Sequence, residues 1–275
     1  MKYSSSNRPF VCMQTQSTCY KETSKMQIKG ILWHSTGANN PYLKRYIQPS
    51  ERRPEGDSWT RSEGLKILGK NKYQNDWNHI DIKAGVTGWI GKLADGTVET
   101  IQTLPWNYRP WGCGSGLKGS CNDGWIQLEI CEDDLKNKDY FSKVYNEACE
   151  VTAYLCKMYD INPKGIVLHN GIMVPTILCH QDSYKLGLGS NHADIYHWFL
   201  KYNKDMNTVR QDVSTLLKES TIKKLYRVRK NKNDAKSQIG AFSSLSNAKT
   251  ACKKAGSGYK VFDWNWKIIY TSKSN

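Results

Sequence analysis

Gly30-Ile31-Leu32-Trp33-His34 is a short apolar run closed by a histidine, and Ser35-Thr36-Gly37-Ala38-Asn39-Asn40 follows it. A run of this length bounded by turn-forming residues reads as a buried strand ending in a loop. Its partners are sought outward along the chain. Trp125-Ile126-Gln127-Leu128-Glu129-Ile130 is a second apolar strand, and Asp76-Trp77-Asn78-His79-Ile80-Asp81-Ile82 alternates like a third. Trp89-Ile90-Gly91-Lys92-Leu93 and Thr97-Val98-Glu99-Thr100-Ile101 flank Ala94-Asp95-Gly96, so they read as a hairpin with an Asp-Gly turn. Between 140 and 160, Phe141, Val144, Tyr145, Ala148, Val151 and Leu155 recur at three- and four-residue steps, which predicts a helix stopped by Asn162-Pro163. Val209, Val213, Leu216 and Leu217 predict a shorter helix over 207–219. The fold class expected is α/β, a central mixed sheet flanked by helices.

The 275 residues exceed one ordinary domain of roughly 100–200 residues. Charge divides them. From 221 to 275 there are 13 Lys and Arg against 2 Asp and Glu, a net +11, while the other 220 residues carry only +4. Two domains are expected, 26–219 and 221–275, the second a small α+β module. In it, 225–229 reads as a strand, 246–255 as a helix capped by Ser246, and 259–263 with 267–270 as a hairpin. The residues before Met26 carry no readable pattern. With 39% hydrophobic residues, 10 Trp and 16 Tyr, the chain has material for a core, which excludes a wholly disordered protein. No apolar stretch of about 18 residues exists, so no transmembrane helix is expected. The start lacks the apolar core of a secretory signal, implying synthesis in the cytoplasm. Nine Cys without a CxxC pair read as mostly free, buried thiols.

Among six His, three stand at strand ends or loops, where a rigid sheet presents ligands: His34, His180 after Thr176-Ile177-Leu178-Cys179, and His192 in Ser190-Asn191-His192-Ala193-Asp194. A catalytic zinc takes three protein ligands, and His34, His180 and either His192 or Asp194 form such a set. Spacing alone leaves each as readily a hydrogen-bonded structural histidine. Glu129 sits inside an apolar strand, where a carboxylate is costly unless it is paired, used, or at an edge with its head in water.

In order along the chain, Ile31-Leu32-Trp33-His34-Ser35-Thr36, the Glu129 strand, and Cys179-His180 to Ser190-Asn191-His192-Ala193-Asp194-Ile195-Tyr196-His197-Trp198-Phe199 together resemble the zinc-dependent N-acetylmuramoyl-L-alanine amidases. These form the superfamily of phage lysozyme-amidases and peptidoglycan recognition proteins, and phage endolysins of Gram-positive hosts are the nearest in character. The resemblance covers about 29–219. It implies Zn2+ held by His34, His180 and Asp194, a catalytic Glu at Glu129, and His192 in place of the Lys that faces the transition state. The exchange of His192 for Asp194 on the metal stays open. Two departures concern substrate contacts. The Tyr usual on the second strand is matched by Asn78, and the usual Ala-Trp-His by Pro110-Trp111-Gly112-Cys113-Gly114. Asn78 and Trp111 are therefore the candidate substrate-binding residues. The tail, with Ser237-Gln238-Ile239-Gly240-Ala241-Phe242 and Asn247-Ala248, resembles a SPOR-like wall-binding module.

The resemblance implies cleavage of the bond between N-acetylmuramic acid and L-alanine in peptidoglycan, release to the wall by a holin, and, for the basic tail, attraction to anionic wall polymers. The alternative is a recognition protein that binds peptidoglycan without cutting it; Glu129 and Asp194 favour catalysis. A nucleic-acid binder is a third reading, from the basic tail and its aromatics, but no nucleic-acid motif supports it.

Overall fold

A computed structural model describes residues 1–167, 173–221 and 225–272; His169 and the 222–224 junction lie outside them. The chain divides into two units, Met1–Leu217 and Lys218–Asn275.

In the first unit β1 (Phe10–Val11) and α1 (Thr18–Glu22) lead into β2 (Gly30–Asn39). Helix α2 (Arg61–Leu68), the hairpin β3 (Gly88–Lys92) and β4 (Val98–Gln102), β5 (Trp125–Glu132) and α3 (Lys138–Met158) follow. Then come a small hairpin, β6 (Ile166–Val167) and β7 (Met173–Val174), and β8 (Ile177–Cys179), α4 (His180–Lys185), α5 (Tyr196–Phe199) and α6 (Met206–Thr221), whose last residues from Lys218 are counted with the second unit. Six strands form one mixed sheet in the order β1-β4-β3-β5-β2-β8. β2 lies between β5 and β8, parallel to both.

Period-two alternation gives this sheet two different faces. Ile31 and Trp33 of β2, with Ile126, Leu128 and Ile130 of β5, pack with Val144, Ala148, Val151 and Leu155 of α3. The Trp33 indole donates to Thr152 Oγ1 at 3.0 Å, so its one polar atom is satisfied inside the core. The alternate residues Leu32, His34, Gln127 and Glu129 therefore occupy the opposite face. There Leu43, Ile47, Leu68, Trp89 and Ile101 make a second cluster, and α2 is closed by a Thr60–Glu63 capping box. The residues before Met26 belong to this unit: β1 pairs with β4, Tyr3 and Cys12 are buried, and Lys2 Nζ bridges Glu99 and Glu147 at 2.7 and 2.8 Å. All nine Cys are free and buried.

Three expectations need correction. The polar run after His34 does not end the strand. β2 continues to Asn39 because Thr36 Oγ1 accepts from Glu132 N and Asn40 N donates to Glu132 O, which hold it on β5 across an irregular register. Residues 76–82 are not a strand. Asp76 takes the Asn78 amide at 3.1 Å and the His79 ring at 2.8 Å, and this local side-chain bonding wins over a sheet ladder. In the second unit the helix is capped by Ser244, which accepts from Asn247 N, and not by Ser246.

That second unit holds β9 (Tyr226–Arg229), β10 (Gly240–Phe242), α7 (Leu245–Ala255), β11 (Lys260–Phe262) and β12 (Ile268–Thr271), with sheet order β10-β9-β11-β12. Val228 and Val261 pack on Ala248 and Cys252 of α7. Arg227 and Arg229 alternate to the other face, their guanidinium groups 5.1 and 4.7 Å from the Trp266 ring centre. No helix among the described residues is long and apolar enough to cross a membrane.

Candidate metal centre

Three elements converge on the sheet face away from α3. His34 is carried by β2, His180 opens α4 directly after β8, and Asp194 lies in the loop that leads into α5. Their ligand atoms all lie within 4.8 Å of one another, and all three residues are buried. His34 Nδ1 and His180 Nδ1 stand 3.5 and 3.7 Å from the same atom, Asp194 Oδ2. The two rings meet edge to face, with centroids 4.9 Å apart.

The far side of each ring decides what the near side offers. His34 Nε2 faces Gln127 Oε1 at 3.0 Å, and His180 Nε2 faces the Cys113 carbonyl at 3.1 Å and Ser190 Oγ at 3.2 Å. Amide oxygens only accept, so each Nε2 carries the hydrogen. Burial, above the other influences, pushes the His34 pKa down, which keeps that ring neutral. A neutral ring protonated at Nε2 presents a bare lone pair at Nδ1. The bare His34 Nδ1 and the Asp194 carboxylate oxygen thus face one another, with His180 Nδ1 beside them. Such convergence of acceptors is unfavourable alone and suits a cation. A tetrahedral zinc with ligand bonds of about 2.0–2.1 Å separates its ligand atoms by roughly 3.3 Å, near the spacings seen here. The residues present fit the ion that the sequence implied.

Glu129 is the register partner of His34 on β5 and of Trp89 on β3, and it is only partly exposed. Burial, then Asp194, then Glu132, raises its carboxyl pKa well above the ordinary value. His192 is the exposed member of the group, its side chain 58% accessible. Its ring stacks on His180 at 4.9 Å, and its Nδ1 lies 3.2 Å from Asp194 Oδ1, the other oxygen of that carboxylate.

The two candidate substrate contacts are placed differently. Asn78 is 4% exposed, and its carboxamide is used inside the protein: Oδ1 accepts from Gln16 N, and Nδ2 donates to Gln48 O and Ser50 Oγ. The residue beside Glu129 on the adjacent strand is Trp89, which stacks on Tyr46 at 4.6 Å. Burial, then Cys131, pushes the Tyr46 phenol up to about 12, and Glu129 adds to the rise. Trp111 is half-buried, its amide held by the Gly85 carbonyl, one residue before Gly112.

The sequence reading passed over Gln127 and the Cys113 carbonyl. Gln127 left a signal: it is polar, in a buried strand, two residues before Glu129 and therefore on the same face. The Cys113 carbonyl left none, because a backbone acceptor has no sequence signature.

Residues 24–185 match the family described as N-acetylmuramoyl-L-alanine amidase. No curated protein matches the chain. Among solved structures, the hydrolase AmiA of Staphylococcus aureus, solved in complex with its ligand, is 20% identical over 78% of this chain and 87% of its own, with a TM-score of 0.47. The structure of PlyL is 18% identical over 74% and 93%, at 0.43, and the PlyG catalytic domain in solution 18% over 75% and 94%, at 0.44.

Proposed function

The chain belongs to the N-acetylmuramoyl-L-alanine amidase family, and we propose that it is a zinc enzyme whose ligands are His34, His180 and Asp194. The observation that carries this is the convergence of those three ligand atoms within 4.8 Å on a buried site. The substrate is peptidoglycan, at the amide joining the lactyl group of N-acetylmuramic acid to L-alanine. Zinc bound there supplies Lewis acidity toward the amide carbonyl and lowers the pKa of the attacking water to about 7.

The chain's own residues do the rest. Glu129 takes a proton from the water as its oxygen adds to the carbonyl carbon. It returns that proton to the nitrogen as the C–N bond breaks, leaving a lactyl carboxyl group that keeps the water's other hydrogen and a free alanine amine. Its pKa, raised by burial above the ordinary carboxyl value, makes it a stronger base toward the water. His192, exposed beside the buried ligands, donates a hydrogen bond to the developing oxyanion. Asp194 is preferred over His192 as third ligand because its Oδ2 faces both buried rings. Trp111 is kept as a substrate contact. Asn78 instead joins Gln16, Gln48 and Ser50.

We also propose that 26–219 is the catalytic domain and that 221–275 is a SPOR-like wall-binding module. Arg227 and Arg229 around Trp266, on the sheet face away from α7, suit anionic wall polymers. The resemblance over 29–219 supports a phage endolysin acting on Gram-positive walls after holin release. Digestion of purified walls tests the activity. New alanine amino groups without new reducing sugar ends are expected; wall binding without either product would leave a recognition protein.

A further inference from the structure

We infer that Asn122 is a positioning residue that fixes which nitrogen of His34 carries the proton. It does so through a chain of hydrogen bonds that begins at the Cys113 backbone. The consequence for catalysis rests on the zinc reading above; the tautomer itself does not.

Each link follows from what its atoms can do. The Cys113 N–H can only donate, and it donates to Asn122 Oδ1 at 3.2 Å, which fixes that oxygen in place. The same oxygen lies 2.8 Å from the Gln127 side chain, so Gln127 must present its Nε2 there. With its amino end committed, Gln127 turns its Oε1 to His34 Nε2 at 3.0 Å. An oxygen at that place demands a hydrogen on Nε2, and Nδ1 is left bare toward Asp194. The other histidine is set by the same residue, since the Cys113 carbonyl receives His180 Nε2. The N–H and the C=O of one peptide residue thus set the two rings alike, one directly and one through Asn122 and Gln127.

The relay is held from outside as well. Asn122 is 6% exposed in the turn Cys121–Asp123, and its own amide donates to Ser120 Oγ at 3.1 Å. Gly112 leaves room for it: a Cβ at that position would come 2.1 Å from Gln127 Oε1. Pro110-Trp111-Gly112-Cys113-Gly114 therefore supplies both the space and the anchor of the relay.

The test reads tautomers in the metal-free protein with ring-15N histidine near pH 7.5, and zinc affinity beside them. In the wild-type protein both His34 and His180 are expected as the Nε2–H form. Asn122→Leu removes the acceptor, releases Gln127 to turn over, and is expected to abolish the uniform Nε2–H form of His34. Zinc affinity then falls about 10–100-fold, the usual effect of losing an outer partner of a metal-bound His. Asn122→Asp keeps an acceptor oxygen and restores the Nε2–H signal. Gly112→Ala displaces Gln127 and is expected to disturb His34 while leaving His180 as it was. An Nδ1–H form of His34 in the wild-type protein would overturn the inference. So would an unchanged His34 spectrum in folded Asn122→Leu or Gly112→Ala. A wild-type protein with the expected tautomers and no zinc affinity would overturn the zinc reading and leave the relay standing.

Discussion

His34 and Glu129 are direct partners in the parallel pairing of β2 with β5, and both side chains lie on the sheet face that α3 does not cover. A neutral imidazole and a carboxyl of raised pKa are thereby fixed side by side on two of the most deeply buried strands. The proposed division of labour follows: the ring holds the metal and the carboxyl moves the proton.

Glu129→Gln is expected to keep zinc and lose about 10²–10⁴ in turnover, the range for removal of a general base. The same variant is expected to gain stability in the metal-free protein. The folded-state pKa of Glu129 lies above the unfolded value of about 4.3, so ionising it opposes folding. Below pH 4 the two proteins should melt alike, and the Gln variant should pull ahead as pH rises. Thermal melts at pH 4 and 7.5, run beside an amine-release assay, check both. Equal melting at both pH values would remove the strain assigned to this carboxyl.

His192→Ala is expected to retain zinc and to lose about 10²–10³ in rate, the usual loss for one oxyanion donor. Lys at the same place should recover much of it, since a donor is then restored. Loss of zinc in His192→Ala would instead make His192 the third ligand and demote Asp194.

Away from the site, burial raises the Asp57 pKa to about 6, against the Met13 N–H that its carboxylate accepts at 2.9 Å. An acid whose folded pKa lies above its unfolded one destabilises as it ionises, so wild-type stability should fall between about pH 4 and 6 on this account. Asp57→Asn keeps the acceptor oxygen. It should show no advantage at pH 4 and a constant one above pH 6.5, read as a shift in melting temperature.

Wall binding by the second unit is expected to weaken as salt rises, because a net charge of +11 is screened over about 8–10 Å at ordinary ionic strength. Arg227→Glu with Arg229→Glu should reduce pelleting with walls several-fold at low salt and flatten the salt dependence, with hydrolysis of a small soluble substrate unchanged. Unaltered pelleting would place the contact elsewhere.

What was legible in the sequence was what periodicity and residue type encode. The apolar runs at 30–34 and 125–130, the Asp-Gly hairpin and the stripes of α3 and α6 follow from burial on one face, and the structure has each of them. The alternation in 76–82 misled because polar side chains alternate as readily when they bind backbone outside a sheet: Asp76 accepts from the Asn78 amide two residues on, and Asn78 Oδ1 from the distant Gln16 amide. Strand-end placement offered His34 and His180 with either His192 or Asp194 as a set, and only the family resemblance favoured Asp194, since 160 residues separate His34 from it. The supports around them were not. The Cys113 carbonyl and N–H belong to the backbone, and the bond between Asn122 and Gln127 depends on which end of an amide points inward. Neither is written in residue identity.

The most direct test of the zinc amidase is metal content and bond cleavage measured on one preparation, for the wild-type protein and Asp194→Ala. The account predicts one zinc per wild-type chain with release of alanine amino groups from walls. It predicts that both are lost in a folded Asp194→Ala, and that wild-type activity disappears with chelator and returns with zinc. Full amine release by a zinc-free wild-type protein, or by Asp194→Ala, would contradict it.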